Sequence, residues 1–177
     1  VLPAALSPLA ARAEQSLQQA FSERSTAATQ AFAQWPAERM DALRRVGAAS
    51  DFVVQQGVRD PQMLLDLAAS GELERSFKVG ELCGHLAQAL ADAADEDDLG
   101  RRLRRFRNRQ QLRIIWRDVS RQVDLIETCR DLSDLADACI DQAYQWLYTR
   151  HCAQFGTPIG QRRDRKSTRL NSSHGII

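Results

Sequence analysis

The sequence predicts an all-α protein, an irregular helical bundle. Three observations lead there. Helix caps and stops punctuate the chain at short intervals, and apolar residues recur at three- and four-residue spacing between them. A hydrophobic content of 44% beside 27% charged residues is that of a chain able to bury a core.

Ser7 followed by Pro8 reads as an N-cap with proline in the first turn, and the helix it opens is expected to run on to Phe32. Pro36 opens the next helix, with Gly47 as its stop. Ser50 and Asp51 cap a short helix over 52–58, and Asp60 with Pro61 starts another that ends at Gly71. Residues 71–80, GELERSFKVG, read as a turn. In the helix that follows, Leu82, Leu86 and Leu90 lie four apart on one face. The acids Asp95, Glu96, Asp97 and Asp98 come next and suit the N-terminus of a long helix, where the macrodipole favours negative charge. Asp95 and Asp97 also have the spacing with which nucleotidyl-transfer enzymes hold magnesium. That arrangement works from a strand after a glycine-rich turn, and both flanks here are helical.

Residues 101–117 carry eight arginines and no acid. At 100° per residue, Leu99, Leu103, Phe106 and Ile114 share one sector, while Leu112, Ile115, Trp116 and Val119 gather on nearly the opposite side. Between the two sectors runs a line of Arg102, Arg109, Arg113 and Arg117. Guanidinium groups flanked by apolar residues need carboxylate or carbonyl partners, because burying them unpaired is costly. These four are the candidate site, read as a docking stripe for a further domain. Arg101, Arg104, Arg105 and Arg107 point elsewhere and are expected in solvent. Removing the eight from the 24 basic residues leaves 16 against 23 acids, a net of −7, which does not favour a phosphate-tracking protein. A stand-alone helical interaction or nucleic-acid-binding module is the alternative reading of this helix.

From Asp131 to about Gln154, the residues Leu132, Leu135, Ala136, Cys139, Ile140, Ala143, Trp146 and Leu147 fall on one stripe, the clearest core face in the sequence. The helix is expected to end at Gly156, ahead of Pro158. The four cysteines show no close C-x-x-C pairing and read as reduced, mostly buried thiols of a cytosolic protein. No apolar run is long enough to span a membrane, and the first residues lack the basic and apolar regions of a secretory signal.

Four blocks carry a resemblance: Ser50 to Val53, DPQMLLDLAASGEL at 60–73, LRRFRNRQQLRIIWRDV at 103–119, and LADACIDQAYQWLYTRHCAQFGTP at 135–158. In this order and spacing they resemble the family of bifunctional glutamine synthetase adenylyltransferase/adenylyl-removing enzymes. The resemblance implies a large cytoplasmic enzyme with two nucleotidyltransferase domains. One moves AMP from ATP to a tyrosine of glutamine synthetase, and the other removes it by phosphorolysis, giving ADP. It implies magnesium and ATP as cofactors of the full-length enzyme, and glutamine synthetase, the PII signal protein and the missing catalytic domain as partners. Residues 1–160 then correspond to the helical N-terminal region of the adenylyl-removing half. The family's catalytic glycine-rich turn, followed by an S-D-x-D-L strand, does not occur in this sequence. No catalytic, cofactor-binding or metal-binding residue is therefore assigned, and the fragment is expected to be inactive alone. Residues 161–177, QRRDRKSTRLNSSHGII, show no periodicity and are read as a non-native, disordered tail.

Overall fold

A computed structural model describes residues 3–158. All regular structure among them is helical. After a 3-10 turn at Ala4–Leu6 come α1 (Ser7–Arg24), α2 (Thr26–Ala33), α3 (Ala37–Ala49), α4 (Asp51–Arg59), α5 (Pro61–Ala69), α6 (Glu81–Leu90), α7 (Glu96–Val119) and α8 (Leu125–Phe155). The all-α class holds.

The caps explain most of the boundaries. The Ser50 hydroxyl accepts from the Val53 amide, Asp60 Oδ1 from Met63 at 3.2 Å, and Asp95 Oδ1 from Asp98 at 2.7 Å. Asp95 is thus a helix cap in α7. Gly156, at φ 86°, supplies the left-handed residue that ends α8.

Three expected boundaries differ. Ser7, read as an N-cap, is the first residue of α1, whose N-cap is Leu6 without a side-chain hydrogen bond. The single helix from Ser7 to Phe32 is broken at Ser25, which is extended (φ −173°, ψ 159°), and its hydroxyl accepts from Ala28 to cap α2. The break folds α2 back on α1, bringing the Phe21 and Phe32 rings to 4.6 Å. Gly47 is not a stop but lies inside α3. A Cβ there would meet the Ala13 Cβ at 2.6 Å, so glycine permits α1 and α3 to approach closely.

Among the described residues, those up to Ala143 form one compact unit and those from Tyr144 to Pro158 form a second. In the first unit α7 is the central strut, packing on α3, α4, α5 and α6, while α1 packs on α2, α3, α4 and α5. Its core joins Leu17, Phe21, Leu43, Val46, Leu64, Leu67, Leu112 and Trp116. Phe32, Trp35 and Trp116 continue the aromatic series at 5.0 and 6.2 Å. The two apolar sectors of α7 are buried as expected: Phe106 and Ile114 on one side, Leu112 and Trp116 on the other. Leu82, Leu86 and Leu90 are likewise buried. In the second unit, the last turns of α8 stack Tyr144 on Tyr148 and His151 on Phe155.

The apolar stripe of α8 is not core, which overturns the expectation from its periodicity. Leu132 is 45% and Ile140 57% exposed, and Ala136 is also exposed. Of the stripe only Leu135 is buried. The helix packs instead through Asp131, Leu135 and Ala138. The cysteines are free, as expected, but none is fully buried: Cys129 is exposed and the other three are partly so.

Candidate functional site

The arginine line of α7 organises the interior of the first unit. Arg113 is fully buried. Its Nε donates to the Glu72 carbonyl at 3.0 Å, Nη2 to the Arg75 carbonyl at 2.6 Å, and Nη1 to Asp131 Oδ2 at 3.0 Å. Its guanidinium lies 3.7 Å from the centre of the Phe77 ring. One turn on, Arg117 reaches Glu127 Oε1 and Ser76 Oγ, both at 2.8 Å, and stands 3.6 Å from the same Asp131 oxygen. One turn earlier, Arg109 donates to Glu72 Oε1 at 2.9 Å. Arg102 donates to Asp98, to the Ala89 carbonyl at 3.0 Å and to the Asp92 carbonyl at 3.2 Å. It thereby occupies carbonyls at and beyond the end of α6 that no helical amide can reach.

The requirement that these arginines find carboxylates or carbonyls is met at all four. Two of the four residues read as a docking stripe, Arg113 and Arg117, lie in the interior of the first unit. They are 0% and 3% exposed, with acids of this same chain as partners. Arg102 and Arg109 are also engaged internally, though they remain partly exposed. The line is an internal brace holding the 71–80 turn on one side and α8 on the other.

Burial lowers the Arg113 pKa from its ordinary range, while the hydrogen bond to Asp131 works against that shift. Glu127 is held below the usual carboxylate range first by the Ser76 hydroxyl and then by Arg117. Glu81 is held down to about 2, by Arg75 and by the Lys78 amide.

Sequence reasoning missed the 71–80 turn as the hub. Its signal was apolar residues in a loop: Leu73 is 0% and Phe77 7% exposed. The acidic partners Asp131 and Glu127 were missed because they sit on the polar side of α8.

Arg101, Arg104, Arg105 and Arg107 are exposed, as expected. The first three line an open cavity of about 510 Å³ together with Arg24, Arg59 and Asp60. Arg105 pairs with Asp60 at 3.3 Å and Arg101 with Asp98 at 3.0 Å. Among the described residues no group of three or more His, Cys, Asp or Glu is placed to hold a metal ion, and no helix is long and apolar enough to cross a membrane.

Fold and site define a class: an all-helical region braced by a buried arginine–carboxylate line. Comparison with known proteins gives the family. The family model for glutamate-ammonia ligase adenylyltransferase matches residues 40–170, and the chain belongs to that family. It is 64% identical over 159 residues to the bifunctional glutamine synthetase adenylyltransferase/adenylyl-removing enzyme of Pseudomonas syringae pv. tomato, covering 90% of this chain and 16% of that protein. It is 60% and 55% identical to the proteins of the same name from Pseudomonas aeruginosa and Pseudomonas putida, over 161 residues in each, covering 91% of this chain and 16% of theirs. The chain thus spans about one sixth of the length of these relatives. The family match enters the stretch read as a foreign tail, which lies outside the described residues.

Proposed function

We propose that this chain is the helical N-terminal region of the adenylyl-removing half of a cytoplasmic enzyme that controls glutamine synthetase. That enzyme transfers AMP from ATP to a tyrosine of glutamine synthetase and removes it by phosphorolysis, with the PII signal protein setting the balance. The observation that carries the reading is 64% identity across 90% of the chain to a relative bearing both activities in its name.

Within the enzyme this region acts as scaffold. The arginine brace fixes the first turns of α8 against the helical core of the first unit. The described residues do not fit the magnesium that the reaction implies. Asp95, the nearest thing to a carboxylate pair with Asp97, is committed to the Asp98 amide as the cap of α7, and Asp97 lies in the first turn of that helix. No catalytic step is therefore assigned to this chain. The nucleic-acid alternative has lost its ordered arginines, since Arg102, Arg109, Arg113 and Arg117 are occupied inside the fold.

The test is a chimera. Residues 1–158 of this chain replace the matching segment of the Pseudomonas syringae relative, and AMP transfer to and from glutamine synthetase is measured with labelled ATP. Both activities are expected in the chimera and neither in the 177-residue chain. Activity of the chain alone, or a folded chimera lacking both activities, overturns the proposal.

A further inference from the structure

The inward and outward faces of α8 are reversed relative to their polarity. Over residues 125–143, Glu127, Asp131, Leu135, Ala138 and Gln142 fall in one sector about 80° wide at 100° per residue. This side faces the rest of the unit: Glu127 and Asp131 meet the arginines, Leu135 and Ala138 are buried, and Gln142 donates to Cys83 Sγ at 3.2 Å. Leu125, Cys129, Leu132, Ala136 and Ile140 occupy a second sector of similar width, turned about 140° away. All five are exposed, Leu125 by 74%, Leu132 by 45% and Ile140 by 57%. Single exposed apolar residues are ordinary, but a stripe at helical repeat along just over four turns is the pattern of a face that is covered.

Packing within the unit offers no cover, because the helix is held on its other side. A rotation that buried the apolar stripe would pull Asp131 and Glu127 away from Arg113 and Arg117 and strand two buried guanidinium groups. The arginine brace therefore fixes which face is left open.

We infer that this stripe is the seat of another part of the same polypeptide in the full-length enzyme. The inference rests on the reading of the chain as one region of that enzyme. Relatives carry more than five-sixths of their length beyond the segment matched here, which supplies an occupant in the same molecule. The edge of the stripe selects its chemistry. Asp137 is exposed about 60° beyond the stripe's margin, whereas Asp134 and Asp141 lie nearer the inward sector. The complementary surface is an apolar ridge with a lysine or arginine on the Asp137 side.

Cys129 lies in the stripe and reports its cover without a substitution. Its rate of maleimide labelling is measured in the 177-residue chain and in the full-length chimera described above, with light scattering to follow oligomeric state. Labelling is expected to be at least tenfold slower in the chimera, and Ile140→Glu in the chimera to restore it; Ile140→Ala serves where the glutamate variant does not fold. Ile140→Glu in the 177-residue chain leaves its melting temperature unchanged. Equal labelling rates in chain and chimera overturn the inference, as does protection of Cys129 in a dimer of the 177-residue chain, which would make a second copy the occupant. A chimera active in AMP transfer with Cys129 still labelled fast defeats this inference alone. A folded but inactive chimera defeats the functional reading instead.

Discussion

Replacing Arg113 with methionine tests the brace. Methionine keeps much of the length of the side chain and its contact with Phe77, but removes three hydrogen bonds. The Glu72 and Arg75 carbonyls lose their donor. Asp131, 3% exposed, is left with Arg117 at 3.6 Å and Arg130 at 3.9 Å. Breaking a buried pair from one side costs about 3–5 kcal/mol, and the remaining arginines offset part of that, so a loss of about 3 kcal/mol is expected. For a domain of this size, that lowers the melting temperature by roughly 6–12 °C, read by circular dichroism. Asp131→Leu alone leaves Arg113 charged and buried and costs a similar amount. The double variant Arg113→Met, Asp131→Leu is destabilised by less than the sum of the singles, with an interaction energy of about 1–3 kcal/mol. A melting temperature within 1 °C or so of wild type for Arg113→Met, or strict additivity in the cycle, refutes the brace.

Three other outcomes follow from the same structure. Gly47→Ala forces its methyl against the Ala13 Cβ, which cannot move without its backbone, and lowers stability by about 1–3 kcal/mol in urea unfolding. Gly57→Ala meets only the flexible ends of Leu17 and Leu64 and costs less. Glu81 has its folded-state pKa lowered from 4.5 to about 2, so the stability it contributes is complete above about pH 4.5 and is lost as pH falls toward 2; Glu127, also held below the usual carboxylate range, acts in the same sense. Glu81→Gln flattens that acid limb in melts from pH 6 to pH 2. Finally, the chain passes unretained over duplex and single-stranded DNA at low salt; salt-dependent retention would revive the nucleic-acid reading.

The sequence made legible what depends on local chemistry. Ser50, Asp60 and Asp95 cap helices because their side chains reach an amide three residues on, and that spacing is visible in one dimension. The need of Arg113 and Arg117 for partners was legible too, since two apolar sectors flank them. Which partners was not. Neither Asp131 nor Glu127 stood out as a partner, because hydrophobic patterning assigns the apolar side of a helix to the core. Here buried guanidinium groups outweigh a few leucines in orienting α8, as a stranded buried charge costs more than an exposed methyl. Gly47 misled for a related reason: glycine marks both helix ends and close helix contacts, and only the Ala13 approach separates the two.

The orientation of α8 is the claim on which the brace and the open stripe both stand, and the native thiols test it directly. Cys129 is exposed, whereas Cys139 is half-buried with its thiol pKa pushed up by burial. Both belong to the side of the helix that hydrophobic patterning would bury. Mass-spectrometric labelling of the 177-residue chain at neutral pH is expected to modify Cys129 well ahead of Cys139. Equal protection of the two thiols would mean that α8 buries its apolar face, and would contradict the account.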